Sequence, residues 1–253
     1  MTKYIHEGAI VGMGSLGTAL LSRFDKGDVI GVRRTDEDYF QQILESRILL
    51  LCMKQGDILA WLDTHSGNLS DEQIVISFGA ALSLKTLRKH SNNQVTLVRA
   101  MTNRGIARSR QDIIYTSEKP LTTPHLASIQ GLFEQIGIAK YVGVSKDEVV
   151  DKETHKACDM GRIAFFLEHY QDALIRFLGY SLSEATQSIK QSLRAILDAL
   201  ESGEDLNVIA QRVASRGGIT EASITEMSGV STLMNLGMNA ANDKMNELNN
   251  KYK

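Results

Sequence analysis

Ten residues near the start of the chain constrain its fold more than any others: Gly8-Ala9-Ile10-Val11-Gly12-Met13-Gly14-Ser15-Leu16-Gly17. Small apolar residues run into Gly12-x-Gly14-x-x-Gly17, and an apolar helical stretch, Thr18-Ala19-Leu20-Leu21, follows at once. A strand, a glycine turn and a helix in that order form a dinucleotide-binding fingerprint. Gly12 lets the chain turn tightly, Gly14 lets the backbone approach a pyrophosphate, and Gly17 lets the helix pack close to the strand. Phosphates would sit on the free N–H groups and positive dipole end of a helix that begins near Ser15. The whole turn, Gly12, Met13, Gly14, Ser15, Leu16 and Gly17, is therefore assigned to cofactor binding.

Strands alternating with helices of about ten residues continue the pattern and predict a doubly wound parallel sheet of Rossmann type. Strands are expected at 28–32, 47–53, 73–78 and 94–101, with helices at 37–45 and 58–64 and from Ser83. The run Arg47-Ile48-Leu49-Leu50-Leu51-Cys52-Met53 is continuously apolar after its first residue, as buried parallel strands are. Residues 112–116, a helix at 123–135 and residues 139–142 complete a first domain, 1–145. From 146 to 253 there is no proline, and Ile163, Phe166, Leu167, Tyr170, Ala173, Leu174 and Phe177 recur at helical spacing. Four or five helices are expected there, broken near Gly179, Ser202-Gly203, Arg216-Gly217-Gly218 and Gly229, as an all-helical substrate and dimerisation domain.

Ligands of such sheets gather outside the carboxyl ends of the strands. The second strand ends in Arg33-Arg34, with Asp36 only afterwards. An acidic residue at that point favours NAD, whereas arginines suit a 2′-phosphate, so the chain is expected to take NADP (NADPH). Met53, Lys54, Ala80 and Met101 stand at or just beyond the other strand ends and join the cofactor-binding set.

Composition narrows the classes of partner. The 253 residues are 43% hydrophobic and 23% charged, with a formal net charge of −2, so nothing favours nucleic acid or an anionic membrane surface. No apolar run nears the roughly 20 residues of a membrane span. The opening Met1-Thr2-Lys3-Tyr4-Ile5 becomes a strand too soon for a signal peptide. Cys52 and Cys158 lie far apart and read as reduced core thiols, which fits a cytoplasmic protein. The six histidines show no metal-ligand spacing, so no metal is expected.

Several junctions together resemble the pyrroline-5-carboxylate reductase family, the last enzyme of proline synthesis. The most specific stretch is Val213-Ala214-Ser215-Arg216-Gly217-Gly218-Ile219-Thr220, similar to V-(A/S)-S-P-G-G-(T/A)-T. The segment from Gly237 to Leu248 is similar to the family's last helix. Met53-Lys54-Gln55 resembles part of V-K-P-Q, residues 76–81 resemble I-S-x-A-A-G, and residues 98–103 resemble V-R-x-M-P-N. The chain also departs from the family. Gln55, Thr102 and Arg216 stand where the family has proline, and residues 154–163, bordering the substrate pocket in the family, carry Cys158, Asp159, Met160 and Arg162. A remodelled substrate pocket is expected.

The resemblance implies NADPH-dependent reduction of a cyclic imine in a homodimer or higher homo-oligomer. It assigns Thr220 and Ser215 as catalytic, and Gly217, Gly218 and Asn103 as substrate-binding. The physical demand fits: the glycines expose backbone N–H groups that form an anion-binding nest, and Ser215 and Thr220 add hydroxyls. Thr220 is the expected hydrogen-bond partner of the imine nitrogen. Gly217-Gly218 also reads as a helix break with Thr220 as an N-cap and Glu221 in the first turn, and Asn103 as a turn residue bonding its own loop. β-Hydroxyacid dehydrogenases resemble the chain less, because their G-x-x-x-K lysine is missing: Gly161 is followed by Arg162, with no lysine before Lys190. The alternative from another class is a non-catalytic NADP-binding sensor or interaction protein derived from the same family.

Overall fold

The computed structural model describes residues 4–25, 27–92 and 94–252. Met1, Thr2 and Lys3, from the opening segment, lie outside these residues. Seven strands form one sheet: β1 (His6–Val11), β2 (Val29–Val32), β3 (Ser46–Leu51), β4 (Ile74–Ser77), β5 (Thr96–Met101), β6 (Asp112–Ser117) and β7 (Ile138–Val144), in the order β2-β1-β3-β4-β5-β6-β7. Between them run α1 (Ser15–Leu21), α2 (Tyr39–Leu44), α3 (Gln55–His65), α4 (Leu84–Lys89) and α5 (Thr123–Ile136). The remainder is helical: α6 (Asp147–Ala157), α7 (Asp159–Leu178), α8 (Leu182–Glu201), α9 (Leu206–Val213), α10 (Ile219–Glu226) and α11 (Val230–Lys251).

The register aligns the strand ends that matter. Val11 pairs with both Val32 and Leu51, Leu51 with Ser77, and Ser77 with Arg99, so β1 to β4 finish level and β5 runs two residues further. Side chains alternate between two buried faces, as strand geometry requires. Ile10, Ile48, Leu50, Ile74 and Ile76 meet Leu20 of α1 and Phe133 of α5 on one face. Ala9, Val11, Leu49, Leu51 and Val75 meet Ile43, Trp61 and Leu87 of α2, α3 and α4 on the other.

One pairing departs from the parallel expectation. β5 and β6 run antiparallel, Met101 opposite Ile114. Only residues 102–111 join them, with a 3₁₀ turn at Arg104–Ala107. A parallel crossover needs a connection of about a dozen residues or more, usually with a helix, so this link reverses the chain.

The compact unit that holds the sheet runs to Met160 and also takes in the stretch from Asp243. It extends past β7 because α6 is pinned to β5. Arg99 is fully buried; its Nη1 donates to Asp147 Oδ1 at 3.0 Å and its Nη2 to Asp151. The Asp147 carboxylate also accepts the backbone N–H of Leu84 at 3.2 Å, tying the start of α4 to α6.

The second unit spans Gly161–Asn242. Its helix breaks fall at Gly179 (φ 68°), Gly203 (φ 89°) and Gly217 (φ 73°), a left-handed conformation that glycine reaches without steric penalty. Among its described residues only Leu174 and Ala185 are buried hydrophobics. Ile163, Phe165, Phe177, Leu233 and Leu236 are all more than half exposed. No helix of the described residues is long and apolar enough to cross a membrane.

The substituted prolines are not equivalent. Gln55 is the first residue of α3, preceded by Lys54 at φ −67°, ψ 156°. That is where proline is favoured, because a first-turn N–H has no intrahelical acceptor and the preceding residue is already extended. Gln55→Pro is expected to stabilise the chain by about 0.5 kcal/mol, chiefly by restricting the unfolded state, read as a raised urea midpoint. Thr102 instead uses its hydroxyl, which donates to the Asp112 carbonyl at 2.8 Å. Proline there would lose that bond.

Candidate functional site

The glycine turn has the spatial constraints that its spacing implies. Gly12 lies at φ 101°, and a Cβ on it would stand 2.4 Å from Met53 Cγ and 2.9 Å from the Cys52 carbonyl oxygen. A Cβ on Gly17 would stand 2.2 Å from the Gly12 carbonyl oxygen, so α1 packs on the turn only as glycine permits. Gly14 differs: nothing lies within 4 Å of the place its Cβ would occupy. α1 starts there with no side-chain cap and no acidic residue in its first turn. Its first N–H groups are thus unspent by the helix, and space remains above Gly14 for a phosphate.

Beside this turn a pocket of about 290 Å³ opens at the carboxyl ends of β1 and β2. Val11, Gly12, Val32, Met13, Met53, Arg33, Arg34 and Tyr39 line it. Five of the assigned cofactor residues, Gly12, Met13, Arg33, Arg34 and Met53, therefore share one cavity. No acidic side chain lines it. The Asp36 carboxylate is turned into its own loop, accepting the Arg33 backbone N–H at 2.7 Å. Arg33 and Arg34 are exposed, and among the described residues neither is in an ion pair. Met13 reaches across to β2, its Sδ 2.7 Å from where a Gly31 Cβ would stand.

The other strand-end residues are dispersed. Lys54 is exposed at the N-cap of α3. Ala80 packs against a small cluster of Met101, Ile114 and Val150. Met101 is itself core, 5% exposed. Asn103 spends its side-chain amide locally: Oδ1 accepts the Gly105 N–H at 2.7 Å and Nδ2 donates to Gln111 Oε1 at 2.9 Å. Burial pushes the Cys52 thiol up, out of reach of a reactive thiolate. Among the described residues no group of His, Cys, Asp and Glu is arranged to hold a metal.

The glycine-glycine stretch belongs to the second unit. Ser215 accepts the Gly218 N–H through its carbonyl at 2.8 Å, and Gly218 is the N-cap of α10. A cleft of about 340 Å³ is lined by Gly217, Gly218, Ala222, Thr225 and two carboxylates, Glu221 and Glu226. Ser215 and Thr220 are not among its lining residues. The Gly217 N–H donates to Glu221 Oε2 at 2.6 Å, so the nest already holds a carboxylate of its own chain. Glu221 sits at the third position of α10 and reaches back to the residue before the N-cap, a contact readable in principle from Gly217-Gly218-x-x-Glu221. Tyr39, in the first pocket, is the residue the sequence reading passed over. Its only local signal is an aromatic five residues after Arg34.

A mostly parallel sheet carrying this turn, followed by helices with exposed apolar faces, defines a Rossmann-type fold with a helical second part. Comparison with known proteins sharpens the class. Residues 155–248 match the family profile described as pyrroline-5-carboxylate reductase dimerisation. Pyrroline-5-carboxylate reductase 2 of Bacillus subtilis (strain 168) is 24% identical over 181 residues, 70% of this chain and 63% of that protein, so the match spans less than two thirds of the relative. The crystal structure of Plasmodium falciparum pyrroline carboxylate reductase with NADP bound shares the fold at a TM-score of 0.83 and 17% identity, over 100% of both chains. The Streptococcus pyogenes 1-pyrroline-5-carboxylate reductase does so at 0.75 and 18%, over 97% of both chains. A reductive aminase from Aspergillus terreus, in complex with NADPH and ethyl-5-oxohexanoate, follows at 0.55 and 19%, over 77% of this chain and 75% of that one. The chain thus resembles pyrroline-5-carboxylate reductases: residues 155–248 match their dimerisation profile, and the fold is shared along the whole chain.

Proposed function

We propose that the chain is an NADP-dependent reductase of a cyclic imine, similar to pyrroline-5-carboxylate reductase, with a substrate pocket of its own. The observation that carries this reading is the β1–β2 pocket: a glycine turn open above Gly14, two unpaired arginines and no acidic residue. NADPH, when bound, supplies a hydride. The open backbone at Gly14 and the first turn of α1 would hold the pyrophosphate. Arg33 and Arg34 would hold a 2′-phosphate through charge-assisted hydrogen bonds. On the helical side, the Thr220 hydroxyl would donate to the imine nitrogen or to its water. Ser215, Gly217 and Gly218 would shape the rest of the substrate site on that side. Bound NADP in a relative of the same fold supports the cofactor assignment, and the bound NADPH of the reductive aminase is in line with it.

Assembly as a homodimer or higher homo-oligomer fits the same reading. A helical unit with so little buried apolar surface needs a partner to cover it, and the dimerisation match covers this region. Sedimentation at micromolar concentration is expected to give a dimer or larger species. A monomer there would overturn the assignment.

The decisive assay follows NADPH and NADH binding by nicotinamide fluorescence, then NADPH consumption with pyrroline-5-carboxylate and with larger cyclic imines. Tighter NADPH than NADH binding and turnover of one imine are expected. Thr220→Ala should lower kcat about tenfold, the value of one lost hydrogen bond, while NADPH affinity holds. Equal loss of cofactor affinity would remove Thr220 from its role. One observation favours a second reading, a non-catalytic NADP-binding sensor: Glu221 already occupies the Gly217 N–H. Tight NADPH binding with no turnover of any imine would establish that reading instead.

A further inference from the structure

The nucleotide pocket carries an aromatic device that its sequence motifs do not contain. Tyr39, the first residue of α2, lines the cavity beside Arg33 and Arg34. Behind it, the indole Nε1–H of Trp61 donates to the Tyr39 hydroxyl oxygen at 2.7 Å. Trp61 is 2% exposed and packed in the core under β1 and β3, so its N–H has a buried, fixed direction. The His65 ring packs against both, its centroid 5.9 Å from that of Tyr39 and 5.2 Å from that of Trp61. The phenol is thereby held in one place.

That arrangement decides the polarity of the Tyr39 hydroxyl. The indole N–H is a donor only, so it takes a lone pair and leaves the phenolic proton to point elsewhere. Among the described residues no acceptor takes that proton. Burial raises the Tyr39 pKa above its ordinary value, so the hydroxyl stays a donor at neutral pH. A locked donor next to two arginines in a pocket without acidic groups is complementary to a phosphate ester, and the ring beside it to a purine.

Resting on the reading of this cavity as a dinucleotide site, we infer that Tyr39 contacts the adenosine end of the cofactor and donates its hydroxyl proton to the ribose 2′-phosphate alongside Arg34. Trp61 is the positioning residue that aims it. Tyr39 then helps set the preference for NADPH over NADH, and the indole N–H reports occupancy of the subsite.

Trp61 is the only tryptophan, so the protein has a single indole N–H resonance. In the wild-type chain, titration with adenosine 2′,5′-bisphosphate is expected to shift that resonance, while 5′-AMP moves it much less and nicotinamide mononucleotide leaves it in place. Tyr39→Phe is expected to weaken NADPH about tenfold with NADH affinity nearly unchanged, since only the phosphorylated ribose loses a hydrogen bond to a charged group. Trp61→Phe should weaken NADPH less than Tyr39→Phe does. Binding of NADPH, followed at the nicotinamide, with an indole resonance indifferent to the bisphosphate would overturn the inference. So would an equal loss of NADPH and NADH affinity in Tyr39→Phe. Failure of the wild-type chain to bind NADPH at all would instead overturn the cofactor reading beneath it.

Discussion

Gly17→Ala is expected to lower the melting temperature by about 10 °C, an effect of about 3 kcal/mol in a chain of this length, and to abolish NADPH binding. The added methyl would stand 2.2 Å from the Gly12 carbonyl oxygen and 3.1 Å from Ile10 Cγ2, and neither the backbone of the turn nor the floor of the sheet has anywhere to go. The strain pushes α1 off β1, and the first-turn N–H groups move with it. Gly14→Ala provides the contrast. Its backbone is ordinary, φ −79°, and no atom lies within 4 Å of the new methyl. Its melting temperature should stay within the change expected from about 0.5 kcal/mol, yet NADPH should bind more weakly because the methyl fills the space a phosphate needs. Thermal melts with and without NADPH separate the two. Equal destabilisation by both substitutions would mean that the turn is only a packing element.

The second large effect is at Arg99. Arg99→Met is expected to destabilise the chain by about 3 kcal/mol, read from the urea midpoint. The guanidinium is buried, and its Nε has no partner among the described residues. Its charge is tolerated because Asp147 and Asp151 face it from α6. Those two side chains keep 27% and 28% exposure, so they can recover water once the arginine is gone, which holds the loss toward the lower end for a broken buried pair. Asp147→Asn combined with Asp151→Leu and Arg99→Met should regain part of the stability. The amide still accepts the Leu84 N–H, and no charge is left unpaired. A loss under 1 kcal/mol for Arg99→Met alone would reduce these contacts to the rank of surface ion pairs.

The legible part of this protein was the part written in local spacing. Gly12, Gly14 and Gly17 announce a strand, a turn and a helix within ten residues, and the structure crowds Gly12 and Gly17 while leaving Gly14 open. The apolar run at Ile48-Leu49-Leu50-Leu51 reads as a buried strand because both of its faces are covered. The glycines at 179, 203 and 217 mark helix ends because left-handed backbone is cheap only there. Arg33 and Arg34 could be placed at a strand end by counting alone.

Other features depend on which elements meet in space. The reversal at β6 follows from a connection too short to cross over, yet Thr102-Asn103-Arg104-Gly105 looks the same before either a hairpin-like return or a loop into a helix. Met101 reads as a strand-end ligand residue by position, but α6 closes over it with Val150 and makes it core. Tyr39 was invisible because its partner, Trp61, lies 22 residues away on another helix. Glu221 reaches back to Gly217 only once α10 sets their separation.

By itself, then, the sequence determined the order of strands and helices, the glycine turn and the helical second half, because these rest on periodicity and on backbone conformations that few residues share. Tertiary structure alone decided that Gly12, Met13, Arg33, Arg34, Met53 and Tyr39 enclose one cavity. That outcome depends on the level registration of β1, β2 and β3, a long-range pairing that no window of neighbouring residues contains.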